Sequence, residues 1–450
     1  MKVLLLSIDP TKSRKCVNKD LAGGMGTGTW VGNSLRARLF GYLKKKSVIL
    51  PDITIAYISA IFKQANYEVS MLKILEDKIP DIGPVDFVLI STSIVDCNHE
   101  LDIIKKVKQR GYIVGVYGTF ATAVPEFFSA HVDFLIKGEP EAGVLKIISD
   151  NSLPKGIVES GVVENLELLP FPDWSPFQIN CFSYFPALNK KPVLTMLTSR
   201  GCQHRCSFYC PYTINAGCKY RARSLQNIVN EVEYLINDFG VKAIDFRDPI
   251  FTFNRARVVG FCNALINKKI KIIWSCETRI DNLDEELLKI MKMAGLKHIN
   301  VGIESAVESV LNKSNRLPIK NEIQEKIIKF CQKSGISVAA FYILGMDNDT
   351  KESIEQTIDY AKKLNTLVAQ FTINTPFPGT NFYLRIKKEG RINKCWEDFD
   401  SYSPVYKHQN LSAEELLFLK EKAFVSYYFR FAYIIKYFSK YLFSKLVCLF

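Results

Sequence analysis

The sequence predicts an α/β protein: an amino-terminal doubly wound parallel sheet, then a partial (β/α)6 barrel of the TIM type, then a helical carboxy-terminal tail. Three observations lead there. Short apolar, β-branched runs alternate with helical patterns through the first third of the chain. After a proline-rich break the alternation resumes and can be counted as six strand–helix units. From about Ser412 the pattern turns helical. With 450 residues, 48% of them hydrophobic, the chain has material for two or three cores and is too apolar to be disordered.

The first predicted strand is "KVLLLSI", Lys2 to Ile8. The start reads as a strand rather than a signal peptide, because its apolar run is short and ends at Asp9-Pro10. Further strands are expected at Tyr67 to Ile74, Asp86 to Ile94, Tyr112 to Gly118 and Val132 to Gly138, with helices at Asp52 to Gln64 and Glu100 to Arg110. In such sheets ligands sit beyond the carboxyl ends of the strands. The residues there are Ser91, Thr92 and Ser93, then Gly118 and Thr119, then Gly138 and Glu139, small or hydroxyl-bearing for the most part. "LELLPFPDWSPF", Leu166 to Phe177, marks a linker. The expected division is therefore 1–165 for the first domain, 166–192 for the linker, 193–385 for the barrel and 386–450 for a helical extension.

Barrel strands are expected at Val193 to Ser199, Lys242 to Asp248, Lys271 to Thr278, His298 to Ser305, Ser337 to Gly345 and Val368 to Thr375. The helices between them fit Leu225 to Phe239, Arg255 to Asn267, Asp284 to Ala294, Glu322 to Ser334 and Lys351 to Leu364. In a barrel the functional residues sit where strands end.

The net charge of +13 comes from lysines and arginines spread along the chain, with no Arg-rich aromatic platform, so no nucleic-acid partner is expected. Most of the twelve cysteines lie scattered in apolar segments, as Cys262 and Cys331 do, which is how reduced thiols sit in a cytoplasmic protein. The tail is dense in aromatics, and Arg430, Lys436, Lys440 and Lys445 fall on roughly half of its helical circumference. Its apolar runs are too short to span a membrane. Two readings fit: a helix lying on the inner face of the cell membrane, or one packed on the barrel.

"TSRGCQHRCSFYCPYT", residues 198–213, places Cys202, Cys206 and Cys210 directly after the first barrel strand. Structural zinc takes four ligands, usually as two close pairs. Here there are three, and the next thiol, Cys218, is eight residues on. An iron–sulfur cluster held by three thiolates keeps one iron open for chemistry. Spacing alone leaves both a cluster and zinc standing, with the cluster favoured.

The run "SRGCQHRCSFYCPY" resembles the cluster loop of radical SAM enzymes. The segments "IDFRDPIFTFNRAR", "WSCETRIDNLDEELLKIMKMAGLKHINVGIES", "FYILGMDNDT" and "TPFPGT" are similar to other parts of that family. "STSIVDCNHE", "VYGTFATAVPEFF" and "VDFLIKGEPE" resemble the signatures of its cobalamin-binding branch, which includes methyltransferases and the anaerobic Mg-protoporphyrin ester cyclases. The resemblance covers most of the chain, to about Glu421. It implies a 4Fe–4S cluster on Cys202, Cys206 and Cys210, with S-adenosylmethionine on the open iron. It implies contacts to that cofactor from Tyr209, Glu277, Arg279, Glu304 and Ser305. Cobalamin would lie on Ser91, Thr92, Ser93, Gly118, Thr119, Gly138 and Glu139. No Asp-x-His-x-x-Gly stretch occurs, so a histidine below the cobalt is not expected.

Two departures stand out. The loop is C-x3-C-x3-C where the family commonly has C-x3-C-x2-C, so Tyr209 looks inserted; in an extended chain the third thiol would shift by up to about 3.5 Å. "DFRDP", Asp245 to Pro249, stands where many members carry Gly-Gly-Glu. The resemblance implies reductive cleavage of S-adenosylmethionine to a 5′-deoxyadenosyl radical and methylation of an unactivated carbon, the cofactors carrying the bond chemistry. The implied partners are a small-molecule or lipid substrate and an electron donor such as flavodoxin or ferredoxin. The alternatives are radical cyclisation or rearrangement without methyl transfer, and a non-catalytic cluster-binding or zinc-binding module. The Gly-rich "AGGMGTGTW", Ala22 to Trp30, does not join a strand to a helix and is expected to be a mobile loop rather than a phosphate loop. Cys218 and Cys276 lie near enough in sequence for catalysis, though buried filler is the simpler expectation for both.

Overall fold

The computed structural model of the chain describes residues 1–9, 19–74 and 79–437. The amino-terminal sheet contains β1 (Lys2–Ile8), β2 (Glu68–Ile74), β3 (Phe87–Ser91), β4 (Val114–Tyr117), β5 (Phe134–Gly138) and β6 (Gly156–Gly161). The strands lie in the order β2-β1-β3-β4-β5-β6 and every pairing is parallel. The central residues of β1, β3, β4 and β5 are buried on both faces, as continuous runs such as "VLLL" require, whereas the edge strands β2 and β6 are not. Val3 and Leu5 face the core shared with α2 (Ile53–Gln64) and α4 (Pro140–Asp150). Leu4 and Leu6 face the core of α3 (Cys97–Gln109). Helix α1 (Leu35–Ser47) starts at Ser34, whose hydroxyl accepts from the Ala37 N–H. The strand order reverses between β1 and β3, and ligand crevices open at such points.

The second sheet follows the expected units closely. It consists of β7 (Val193–Met196), β8 (Ala243–Phe246), β9 (Ile273–Thr278), β10 (Leu296–Glu304), β11 (Ser337–Leu344) and β12 (Val368–Ile373). They pair in parallel and in sequence order, the arrangement of a partial barrel. The intervening helices are α5 (Leu225–Phe239), α6 (Arg255–Asn267), α7 (Glu285–Met293), α8 (Asn321–Lys333) and α9 (Lys351–Leu364). Strand β7 stops at Met196, short of the expected Ser199, because Thr198 and Ser199 turn to bond Asp248. Ser199–Arg200 then pairs with Arg221–Ala222 in a short antiparallel ribbon.

A barrel of six strands has open edges. Beyond α10 (Asn381–Lys388), which runs across the expected boundary at 385, the tail covers one of them. Helix α11 (Ala413–Tyr428) opens with a capping box between Ser412 and Glu415. The Tyr428 hydroxyl donates to the carbonyl of Ala369 on β12 (3.0 Å), and the Tyr427 hydroxyl to that of Thr366 (2.6 Å). Helix resumes at 431–437, where the Tyr433 hydroxyl bonds the Leu367 carbonyl (2.7 Å). To residue 437 the tail is thus packed on the barrel, whereas Lys440 and Lys445 lie outside the described residues. Among the described residues no helix is long and apolar enough to cross a membrane. The linker is packed too: Trp174 is fully buried, and Asp173 accepts from Ser59 Oγ at 2.6 Å and pairs with Lys63 at 2.7 Å.

Candidate active site

A cavity of about 1510 Å³ lies where the carboxyl ends of the two sheets face each other. The barrel contributes one wall, the amino-terminal sheet the opposite one. All three cysteines of the loop after β7 reach it, together with Tyr209, Glu277, Arg279 and Glu304. From the first domain come Ser91, Thr92, Gly118, Thr119 and Glu139. Ser93, Gly138 and Ser305 do not line it. The Ser93 N–H and hydroxyl both donate to Glu100 (2.8 and 2.9 Å), the Ser305 hydroxyl bonds that of Thr357 (3.2 Å), and Gly138 packs against Ser160 and Gly161.

The loop of three thiols shows how the extra residue is taken up. Residues Arg205–Phe208 form a 3-10 turn, and the Cys210 N–H then bonds the Cys206 carbonyl at 2.8 Å. That bond spans four residues, so Cys206 and Cys210 stand one helical turn apart, on one face. Residues three and four apart are both neighbours on a helix. Adding Tyr209 therefore converts one same-face spacing into the other instead of pushing the third thiol along an extended chain. Gly201, at φ +83°, opens the loop; a Cβ there would meet the Lys219 carbonyl at 1.9 Å.

Burial raises the thiol pKa values of all three, Cys210 up to about 12, and Cys206 adds like charge at Cys202 and Cys210. Around Cys206 and Tyr209 lies a charged pair, Arg316 and Glu304, 3.2 Å apart and nearly buried. Glu304 holds a left-handed backbone, φ +60°, at a register shift between β10 and β11. Such strain in a non-glycine residue collects at functional sites. The Tyr209 hydroxyl is buried without a hydrogen-bond partner, an orphaned group of the kind a bound ligand satisfies. Among the described residues no three His, Cys, Asp or Glu side chains converge on a point that would grip a single ion. A four-iron cluster is gripped at separate corners, so it does not require its thiols to converge on one point.

The rest of the barrel wall is arranged in pairs. Arg247 Nη1 donates to Glu277 Oε1 at 2.8 Å, and Arg279 is turned onto Asp281 (2.7 Å). In "DFRDP" the two aspartates are structural. Asp248 accepts from the Thr198 N–H (2.7 Å) and Ser199 Oγ (2.6 Å), which anchors the base of the cysteine loop. Asp245 accepts from Ser275 Oγ (2.6 Å), and burial, partly offset by Arg247, lifts its carboxyl to about 7. Arg247 between them reaches the cavity, as does Pro249.

Glu139 proves to be a brace between domains. It accepts from Arg200 (2.6 Å) and Arg221 (2.9 Å), and Arg200 also donates to Glu141 (2.8 Å), all buried. Burial opposes its charge, but the two guanidiniums hold its carboxyl below the usual glutamate range. Because Arg200 lies two residues before Cys202, the brace fixes the thiol loop to the first domain. Gly118 makes a different contribution: at φ +144° its would-be Cβ falls 2.3 Å from the Thr92 carbonyl, so β3 and β4 approach closely where they end at the cavity.

Several residues of the cavity gave no sequence signal. Arg316, Asp20 and Asp52 lie outside every quoted motif, whereas Arg200 and Arg247 lie inside motifs that do not single them out. Asp52 caps α2, and burial with Asp20 close by lifts its carboxyl to about 7; burial lifts Asp20 to about 6. The Gly-rich segment is anchored, contrary to the expectation of a mobile loop. The Gly28 N–H bonds the Asp400 carbonyl (2.7 Å), and the Thr119 hydroxyl donates to the Gly23 carbonyl (2.7 Å). Gly23 and Gly24, at φ +64° and +86°, pass along the cavity with no room for side chains. Cys276 is fully buried on β9, as filler would be, whereas Cys218 is exposed.

A parallel partial barrel with a three-thiol loop after its first strand thus faces a doubly wound sheet across one cavity. Residues 196–361, from the end of β7 into α9, match the model of the radical SAM superfamily. The chain is similar to an uncharacterized methyltransferase of Pyrococcus horikoshii, 25% identical over 420 residues, covering 86% of this chain and 89% of that protein. The anaerobic magnesium-protoporphyrin IX monomethyl ester cyclase of Rubrivivax gelatinosus is 26% identical over 430 residues, covering 87% and 74%. In fold it resembles the radical S-adenosylmethionine methyltransferase TsrM of Kitasatospora setae, solved with cobalamin and a [4Fe-4S] cluster (TM-score 0.63, 14% identity, 86% and 75% covered).

Proposed function

We propose that the chain is a cobalamin-dependent radical SAM methyltransferase acting on an unactivated carbon of a biosynthetic intermediate. The observation that carries this reading is the shared cavity, with the thiol loop on one wall and the ends of β3 and β4 on the other. Cys202, Cys206 and Cys210 would hold the cluster. Tyr209, Glu304 and Arg316 surround the position beside it, and the Glu277–Arg247 pair offers both charges to an amino-acid group. Ser91, Thr92, Gly118 and Thr119 supply the floor that a large planar cofactor needs. When bound, cluster and S-adenosylmethionine supply radical chemistry and cobalamin a methyl carrier.

The protein's own part is positioning and exclusion. Arg200, Glu139 and Arg221 hold the two walls in register. Asp248 fixes the start of the thiol loop, and the buried apolar core of the barrel keeps water away from the strand ends. An external electron donor and a small-molecule or lipid substrate complete the reaction.

The test is anaerobic turnover of reduced, reconstituted protein with methyl-labelled S-adenosylmethionine and candidate intermediates. Formation of 5′-deoxyadenosine together with label in the product supports methylation. Formation of 5′-deoxyadenosine with an unlabelled, cyclised product assigns the cyclase chemistry instead, and an intact cluster that forms none on any substrate contradicts the radical reading.

A further inference from the structure

Helix α1 turns its apolar side outward. At about 100° per residue, Leu35, Leu39, Tyr42 and Leu43 fall within an arc of about 100°, with Arg36 and Arg38 on its two flanks. All six are exposed, Leu35 to 85%. The opposite side of the helix carries Ala37, Phe40 and Lys44. Phe40 stacks on Tyr428 of α11 at 4.2 Å between ring centres, and Lys44 lies over the Tyr402 ring at 4.7 Å. The helix is therefore seated by its inner side and leaves a stripe of large apolar residues in water.

A second set of exposed apolar residues lies just past α11, on the helical turns 431–437. Phe431 is exposed to 78%, and Ile434 and Ile435 are exposed as well. The two sets meet at the cavity, because Leu39, Tyr42, Leu43 and Ile434 are also part of its lining. Phe40, Phe429 and Tyr433 line the same cavity, which also reaches the thiol loop.

We propose that this patch seats the mouth of the cavity on an anionic lipid bilayer, from which an amphiphile with an apolar chain passes into the site. An amphipathic helix with basic flanks binds such a surface by burying its stripe among the acyl chains and pairing its arginines with headgroups. The net charge of +13 adds long-range attraction. A folded protein seated on the same residues would close the cavity, since four of them line it; a fluid bilayer leaves it open and supplies apolar solutes. The docking stands on these observations alone, whereas the amphiphile as substrate rests on the reading of the chain as an enzyme.

The experiment is co-sedimentation of the full-length protein with vesicles of phosphatidylcholine, alone or with about a quarter phosphatidylglycerol. Leu35→Ser combined with Phe431→Ser removes apolar surface without touching the cavity lining, and Arg36→Glu combined with Arg38→Glu reverses the flanks. Native protein is expected to bind the anionic vesicles at least about tenfold more strongly than the neutral ones. The first pair should lower binding to both by about tenfold or more, and the second should erase the anionic preference, with melting temperatures unchanged. No binding by the native protein overturns the proposal, as does native-like binding by the first pair. A dimer that becomes a monomer in that pair, without vesicle binding, assigns the patch to a second copy and overturns it too. Vesicle binding is read without turnover, so its failure is distinct from failure of the methyl-transfer reading.

Discussion

The two six-stranded sheets are built by the same rules and end in opposite ways. Both are parallel, both alternate with helices, and both offer the carboxyl ends of their strands to one cavity. The amino-terminal sheet ends in Thr92, Gly118 and Thr119, whose side chains are short or absent. The barrel ends in Cys202, Arg247, Glu277 and Glu304, long or reactive groups, several of them held in ion pairs. Under the proposed function, one wall receives a large ligand and the other acts on it. What joins them is a small buried cluster of charges, Glu139 and Glu141 from one side with Arg200 and Arg221 from the other.

The largest effect is expected on the reactive wall. Cys206→Ala should abolish cluster assembly and with it any 5′-deoxyadenosine, read by iron analysis and chromatography, while far-UV circular dichroism stays unchanged. Next comes the brace. Arg200→Ala leaves Glu139 with Arg221 and the Val163 N–H and strips Glu141 of its buried ion pair, a loss of about 3–5 kcal/mol by the usual cost of breaking a buried pair. Urea unfolding should show it, and the Cys202 loop should become open to protease.

Asp245 gives a pH dependence of the same wall. Its folded carboxyl keeps its proton up to about 7, whereas the unfolded one releases it near the ordinary aspartate value. Between these values the unfolded chain binds fewer protons, so stability falls as pH rises from about 4 to about 7. The contribution is on the order of 2–4 kcal/mol, and Asp245→Asn should flatten that limb in denaturation measured across the range. On the receiving wall, Gly118→Ala adds a Cβ against the Thr92 carbonyl at a strained φ. It should cost about 1–3 kcal/mol and weaken cobalamin binding measured by absorbance, with the iron content kept. The smallest effect belongs to Cys218→Ser, an exposed thiol whose loss should leave iron content and melting temperature unchanged.

The difference between the walls also explains what the sequence revealed. Strand and helix positions follow from apolar periodicity, so helices such as Leu225–Phe239 and Lys351–Leu364 agree with the expected bounds. Strand β6 went unanticipated because "GIVESG" carries glycine at both ends and buries one side chain, Val158. The thiols were legible because three cysteines in one loop are rare without a ligand. Arg316 and Arg200 were not, since an arginine in a loop has the same local signature whether it points to water or into a cavity. The strand end that places Glu139 at the cavity is legible in the sequence, whereas its ion pairs are not. The fold turned that place toward Arg221, whose position the local sequence does not encode.

The spacing of the third thiol carries the most weight. With Tyr209 inserted, Cys210 lies one helical turn from Cys206 and on the same face, and we take it as the third cluster ligand. Anaerobic reconstitution of native protein and of Cys210→Ala, followed by iron and sulfide analysis and low-temperature EPR of the reduced state, tests this directly. Native protein should carry about four irons and four sulfides per chain, and the variant should lose most of them or hold an altered cluster. A variant with the same iron content and the same EPR signal would contradict the assignment.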